Sequence, residues 1–160
     1  MWLFKEMKPH AERGDAVAQW TMGLLYEAGE GGVAQDYKTS FKWYQLSAKQ
    51  GYSSAQTSLG DMYYHGKGVV QDYRAAFDWY QLAAEQKYPI AQIKLGDMYY
   101  QGKIDTDYSR AYMWWDIASS KRTGIAADKR NKIENKMTDP QVELAQKLVR
   151  ECVSKKYKNC

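Results

Sequence analysis

One phrase occurs three times along this chain and limits what it can fold into. An alanine, a glycine and a tyrosine recur at offsets of 37 and then 36 residues, beginning with Ala18, Gly23 and Tyr26. The second half of the phrase recurs as Asp36-Tyr37, Asp72-Tyr73 and Asp107-Tyr108, and then as Trp43, Trp79 and Trp114. A period in the middle thirties is typical of a solenoid of helix pairs, in which each unit contacts only its neighbours. The repeat therefore predicts an all-α fold.

The repeat register divides the chain into helix pairs. Apolar residues recur at helical spacing in each half of the phrase, and glycines separate the halves. We predict a single repeat domain with a partial repeat at 2–14, full repeats at 15–51, 52–87 and 88–122, and a degenerate repeat with a capping helix at 123–160. This division corresponds to about nine helices.

Three local features refine that division. Gly23 lies in the middle of a helix, which indicates close approach of the paired helix, since glycine there costs about 1 kcal/mol relative to alanine. Gly14 and Gly51 are placed as left-handed C-terminal caps, but Lys87 stands at the equivalent position and predicts a strained cap. Thr138-Asp139-Pro140-Gln141 predicts a helix start with a capping box.

Positive charge is concentrated at the end of the chain. Residues 1–120 carry 12 basic and 14 acidic side chains, whereas residues 121–160 carry 11 basic and five acidic ones. A patch for nucleic acid or an anionic membrane is one interpretation. A solvated capping helix is the other, and we adopt it because no base-stacking aromatic motif accompanies the charge. The mean hydropathy of -0.72 and the lack of a long apolar run predict no membrane insertion.

The two cysteines, Cys152 and Cys160, lie close together in sequence. They match no zinc-binding spacing, so we predict no metal site. One local disulfide would close a small loop and would need an oxidising compartment, while two free thiols remain the alternative. The opening residues, Met1-Trp2-Leu3-Phe4, lack the features of a signal peptide. Because the chain begins partway through a repeat, we expect an upstream segment to have been removed.

The phrase A-x3-L-G-x2-Y-x2-G-x-G-V-x2-D-x3-A-x2-W-Y-x3-A-A-x2-G resembles the Sel1-like repeat, a relative of the tetratricopeptide repeat, over roughly residues 14–120. The segment from Met137 to Cys160 is also similar to the closing segment of bacterial Sel1-like proteins. The resemblance implies a right-handed superhelix of antiparallel helix pairs and a periplasmic or secreted protein, with a cytoplasmic one as the alternative. It further implies an adaptor that assembles other proteins or, alternatively, an immunity protein that blocks a toxin.

In this architecture the first helix of each pair is expected to line a concave groove that binds a protein or peptide. The register places candidate groove residues in all three repeats: Trp20, Leu24 and Glu27; Thr57, Asp61 and Tyr64, with His65 beside them; and Ile93, Asp97 and Tyr100. We expect a partner segment with Lys or Arg and an apolar anchor. Trp20 is the preferred hot spot. The alternative is that the tyrosines pack between units while the aspartates are solvated.

An enzyme is the rival interpretation, because hydrolase activity has been suggested for some cysteine-rich relatives. A nucleophile needs a base held by a third group. The two histidines, His10 and His65, lie in different units and have no nucleophile motif near them. No phosphate loop or dinucleotide motif is found. The acidic loop Asp105-Thr106-Asp107 has too few ligands for calcium. We predict a binding protein that has no catalytic residues and no cofactor.

Overall fold

The structure is a computed structural model that describes residues 2–120 and 124–160. Within these ranges the chain forms nine α-helices and no strand, which confirms the predicted all-α solenoid. Their bounds are α1 Trp2–Glu12, α2 Ala16–Ala28, α3 Tyr37–Lys49, α4 Ser53–His65, α5 Tyr73–Glu85, α6 Pro89–Tyr100, α7 Tyr108–Ser119, α8 Gly124–Glu134 and α9 Asp139–Ser154.

The helices group into two compact units, and the division falls between Trp79 and Tyr80. In unit 1, α1 packs against α2, α2 against α3, and α3 against α4. In unit 2, α7 packs against α6, α8 and α9. No described helix has both the length and the apolar character that crossing a membrane would require.

In unit 1, the mid-helix glycine of the first full repeat admits an aromatic ring. A Cβ atom built on Gly23 would collide with the side chain of Tyr44, a fully buried residue of α3. Two serines of α3 fix the same pair of helices, because Ser40 Oγ donates to the Gly23 carbonyl at 2.8 Å and Ser47 Oγ donates to the Ala16 carbonyl at 2.6 Å. The predicted close approach of the paired helix is confirmed.

Unit 2 repeats this arrangement with a larger ring. A Cβ atom on Gly96 of α6 would collide with Trp115 of α7, which occupies the position of Tyr44 in the repeat register. Trp115 is buried with its neighbour Trp114, and eight of the 12 residues of α7 are buried. This helix forms the centre of the core of unit 2.

The helix ends follow the local signals in the sequence. The side chains of Asp36 and Asp107 accept backbone N–H groups at the first turns of α3 and α7, and the capping box of Thr138 and Gln141 begins α9. Hydrogen bonds from the Thr39 side chain and backbone lower the pKa of Asp36. Lys87 adopts a left-handed conformation with φ of 64°, as expected at a glycine cap position.

Candidate functional site

The ten predicted groove residues lie on the first helices of the three repeats or at their ends. Helix α2 carries Trp20, Leu24 and Glu27, α4 carries Thr57, Asp61, Tyr64 and His65, and α6 carries Ile93, Asp97 and Tyr100. The first two groups belong to unit 1 and the third to unit 2. Some of these residues pack against neighbouring helices, whereas others keep surface that a partner could contact.

Trp20, the preferred hot spot, joins two helices of unit 1. Its indole Nε1–H donates to Ser58 Oγ of α4 at 3.2 Å, and its ring meets the Tyr52 ring edge-on at a centroid separation of 5.7 Å. The side chain is half-buried against the core cluster around Leu59. Trp20 therefore packs between repeats and leaves only part of its ring available to a partner.

Glu27 also has partners within unit 1. Its carboxylate accepts the Tyr44 hydroxyl at 2.8 Å and lies 3.5 Å from the Nζ atom of Lys67. Burial, together with this bond to Glu27, raises the pKa of the Tyr44 hydroxyl, which therefore stays protonated as the donor. Lys67 also lies 5.3 Å from the centroid of the Tyr37 ring. Glu27 thus links α2 to α3 and to the loop after α4.

The structure contradicts the prediction for Thr57. The register predicts that its side chain faces a groove, but Thr57 is only 5% exposed and its hydroxyl donates to the Ser53 carbonyl at 2.9 Å. A hydroxyl bonded to the preceding turn satisfies itself locally and can lie in an interior. The position equivalent to Trp20 is therefore buried in the second repeat and offers no surface to a partner.

The remaining residues of α4 form an aromatic group at its C-terminal end. The Tyr64 ring meets the rings of His65 and Tyr73 at centroid separations of 4.9 and 5.1 Å. Asp61 is half-buried one turn earlier, and His65 is exposed. Both of these aromatic partners belong to the repeat of Tyr64 itself, 52–87, so these two contacts do not join one repeat to the next.

In unit 2, helix α8 and the segment that follows it supply cations to the predicted groove residues of α6. Lys129 Nζ lies 2.6 Å from Asp97 Oδ1, which also accepts the Trp115 indole at 3.1 Å. Lys136 Nζ donates to the Tyr100 hydroxyl at 3.2 Å. The predicted acidic stripe is thus neutralised at Asp97 by a lysine of the same chain.

The aromatic residues around that contact are packed on one another. The Tyr100 ring lies 5.6 Å from the Trp115 ring and 5.8 Å from the Tyr108 ring, measured between centroids. Ile93 is half-buried, and its carbonyl accepts the Trp115 indole at 3.3 Å. Asp97 therefore holds α8, and Tyr100 holds the segment after α8, against the third repeat.

Among the first helices of the three repeats, α2 is the one that exposes two large aliphatic side chains. Leu24 is 38% exposed and Val17 is 50% exposed. Residues seven apart lie on one face of a helix, about 20° from each other, so Val17 and Leu24 form one stripe beside Trp20. We call these three residues the α2 stripe. Val17 was not predicted as a site residue, although an aliphatic residue recurs at this register position as Ile90, which is also exposed.

Two further features concern the cysteines and the other residues that could bind a metal ion. Cys152 and Cys160 form a disulfide, so the predicted bridge is confirmed and the free-thiol alternative is wrong. Among residues 2–120 and 124–160 no group of three or more His, Cys, Asp or Glu side chains is placed to hold a metal ion. His10 on α1 and His65 on α4 lie on separate helices.

Comparison with known proteins agrees with the repeat register. The model of the Sel1 repeat matches residues 16–52, 53–88 and 89–122. The sel1-like repeat-containing protein L21 of Acanthamoeba polyphaga mimivirus is 41% identical over 59 residues, which are 37% of this chain and 11% of that protein.

Two solved structures share the fold at a TM-score of 0.71. A Sel1 repeat protein from Oxalobacter formigenes is 31% identical, with 80% of this chain and 96% of that one covered. The c5321 protein, a protective antigen present in uropathogenic Escherichia coli strains, displays an SLR fold and is 26% identical, with 96% of this chain and 42% of that one covered. Sel1 repeat proteins are generally protein-interaction scaffolds, and the fold is typically non-enzymatic. This chain belongs to the Sel1 repeat family.

Proposed function

We propose that this protein is a non-enzymatic scaffold that binds a peptide or protein partner through the α2 stripe of unit 1. The observation that carries the proposal is the exposure of Val17 and Leu24 on one face of a first helix, beside the partly accessible ring of Trp20. Single exposed aliphatic side chains are ordinary, but two aligned beside an indole offer a continuous apolar contact. Interface hot spots are enriched in tryptophan and lie in such apolar centres.

The charges around the stripe indicate the chemistry of the partner. Glu27 lies three residues beyond Leu24 on α2, and its side chain keeps 30% of its surface exposed beside Lys67. A basic side chain of the partner could share this carboxylate while an aliphatic or aromatic side chain packs on Leu24 and Val17. The partner is therefore a segment with an apolar anchor next to Lys or Arg.

A matched pair of leucines tests the surface. Leu24 on α2 and Leu46 on α3 belong to the same unit and are 38% and 47% exposed. The partner would be identified by affinity capture and mass spectrometry, then purified, and its affinity measured by calorimetry for the unchanged protein, Leu24→Lys and Leu46→Lys. We expect Leu24→Lys to weaken binding at least tenfold, about 1.4 kcal/mol, and Leu46→Lys to change it less than about twofold.

Equal affinities for the two variants would overturn the assignment of the α2 stripe, and circular dichroism of both variants shows that each is folded. The identity of the captured protein also bears on the immunity role that the resemblance implies. A toxin or effector held at this surface would be blocked by the same contact that an adaptor uses to assemble its client.

We also infer that the protein works in an oxidising compartment, periplasmic or extracellular. The Cys152–Cys160 disulfide supports this inference, because disulfides persist in oxidising compartments and are rare where glutathione and thioredoxin keep thiols reduced.

A further inference from the structure

The backbone conformations that are rare outside glycine gather at one place in unit 2. Among the described residues, four non-glycine residues have positive φ: Lys87 at 64°, Lys156 at 53°, Tyr157 at 68° and Asn159 at 52°. Three of them lie in residues 155–160, which we call the hook. Such conformations persist only where surrounding contacts hold them, and they cluster at switch regions.

The first set of contacts ties the hook to the end of α9. The Tyr157 N–H donates to the Cys152 carbonyl at 2.9 Å, and the Lys156 N–H donates to the Val153 carbonyl at 3.0 Å. The disulfide then joins Cys160 back to Cys152. The disulfide closes residues 152–160 into a covalent ring that contains the three left-handed residues of the hook.

A second set of contacts ties the hook to Glu85 at the end of α5. The Glu85 carboxylate accepts the Asn159 backbone N–H at 3.1 Å and lies 3.1 Å from Lys158 Nζ. Its side chain is only 14% exposed. Partial burial acts to raise the pKa of Glu85, but the hydrogen bonds from Asn159 and Lys158 outweigh it, so the pKa is lowered. The carboxylate is therefore ionised at neutral pH and attracts the hook.

The third contact explains an irregularity of the repeat. Lys87 stands where Gly14 and Gly51 cap the other repeats, and it bears the strain of a left-handed backbone. Its Nζ atom lies 5.3 Å from the centroid of the Tyr157 ring, within range of a cation–π interaction. A glycine at position 87 would relieve the backbone but would lose this contact with the hook.

We propose that the hook is a redox-operated latch, which the Cys152–Cys160 disulfide holds on Glu85 and Lys87 and a dithiol reductant releases. Cys152 is 2% exposed, whereas Cys160 is half-buried beside a cavity of about 170 Å³ that Arg110 and Lys155 also line. Attack is therefore directed at Cys160 Sγ. The cavity is also lined by the Glu151 carboxylate, so two cations and one anion surround an approaching thiolate and leave a net positive charge that favours it.

The exchange transfers two electrons from the reductant to the bridge. A thiolate of the dithiol attacks Cys160 Sγ, the Sγ–Sγ bond breaks, and Cys152 leaves as a thiolate that takes up a proton. The second thiol of the reductant then attacks the mixed disulfide at the reductant's own sulfur and releases Cys160. The products are two protein thiols and one disulfide in the reductant. Without its covalent closure, the hook relaxes its left-handed residues and leaves Glu85.

Hydrogen exchange of the full-length protein tests the latch, with dithiothreitol as the probe. Thiols are counted before and after treatment, and exchange of the Asn159 and Tyr157 amides is followed by NMR. We expect two new thiols and a loss of amide protection on the order of 100-fold at both positions, given the stabilisation typical of a disulfide. The pKa of Glu85 should rise on reduction, because its hydrogen-bond donors leave. Protection of the Leu25 amide in unit 1 should not change.

Two variants separate the disulfide from the ionic contact. The double variant Cys152→Ser/Cys160→Ser should show the released exchange pattern without reductant, and Glu85→Gln should raise Asn159 exchange while the bridge stays intact. If the serine variant does not fold, titration of the unchanged protein with dithiothreitol provides the same comparison. Unchanged protection of Asn159 after both thiols are freed would overturn the latch, and so would a bridge that dithiothreitol does not reduce in the folded protein.

Discussion

In two helix pairs, a glycine in the first helix leaves space for an aromatic side chain of the second helix. Gly23 admits the side chain of Tyr44 in unit 1, and Gly96 admits that of Trp115 in unit 2. A glycine in a helix interior costs about 1 kcal/mol, and burial of an aromatic side chain recovers more than this. The glycines are therefore packing residues of the scaffold and have no direct part in binding.

Gly23→Ala tests this interpretation. The new methyl group meets a ring that cannot withdraw easily, because Tyr44 is fully buried and its hydroxyl is bonded to Glu27. Overpacking costs about 1–3 kcal/mol, and the better helix propensity of alanine returns about 1 kcal/mol. We expect urea denaturation to show a net loss of up to about 2 kcal/mol relative to the unchanged protein.

Gly124→Ala is the matched control, since no atom of the described residues lies within 4 Å of a Cβ atom at that helical glycine. Its free energy of unfolding should be unchanged or slightly higher than that of the unchanged protein. If Gly23→Ala were as stable as Gly124→Ala, the close approach of α2 and α3 would be wrong.

A second recurring interaction of single residues was not predicted from the sequence. Three buried glutamines, each following the repeat alanine, donate from Nε2 to the carbonyl eight residues earlier: Gln19 to Ala11 at 3.1 Å, Gln56 to Ala48 at 3.3 Å and Gln92 to Ala84 at 3.2 Å. Each bond joins a first helix to the end of the helix before it. The recurrence of glutamine was visible in the sequence, but a polar residue on a helix is ordinarily assigned to the surface.

Individual elements differ in how they are held, and α8 is the clearest case. Only Ala126 and Ile133 are buried in this helix. Its charged side chains supply further contacts, since Lys129 pairs with Asp97 and Arg130 pairs with Asp116 at 2.7 Å. The hydrogen bond to Asp116 raises the pKa of Arg130. Polar contacts thus replace much of the apolar packing found in the regular repeats.

Lys129→Met should loosen α8. The substitution keeps the length of the side chain but leaves Asp97 without its cation, and both partners are partly exposed, so the loss is about 0.5–1.5 kcal/mol. Hydrogen exchange in α8 should accelerate roughly two- to tenfold by the same energy scale. Lys132→Met on the exposed side of α8 is the control and should leave exchange unchanged. Equal exchange rates in the two variants would show that the Lys129–Asp97 pair does not anchor α8.

Across the whole molecule, burial is distributed unevenly among the helices. Eight of 12 residues are buried in α7, whereas α1 buries only Ala11 among its 11 residues. In a repeat array each helix depends on its neighbours, so local stability follows local packing. The chain should therefore not unfold with one uniform free energy.

Native-state hydrogen exchange should reveal this gradient. We expect the slowest amides in α7 and the fastest helical amides in α1 and α8, with protection factors that differ by at least about 100-fold. The measurement is amide exchange by NMR or mass spectrometry at neutral pH, without denaturant. Uniform protection across α1, α7 and α8 would instead indicate a single cooperative unit.

The sequence by itself determined the helix pairs, their register and most of their caps. These features depend on residues close together in the chain and on the recurrence of Gly, Tyr and Trp, which a periodic core requires. The strained cap at Lys87 was predictable for the same reason, since its register position demands a left-handed backbone. The spacing of Cys152 and Cys160 indicated a bridge but left free thiols open.

Only the tertiary structure decided which candidate site residues have accessible surface. Register showed that Thr57, Asp97 and Leu24 lie on first helices, but it did not show what covers them. Local bonding closes Thr57, a lysine of α8 neutralises Asp97, and Leu24 remains exposed. Exposure and pairing are set by side chains that come from distant parts of the chain. The same reason applies to the hook, where Lys87 and Glu85 meet residues 70 and 74 positions away in sequence.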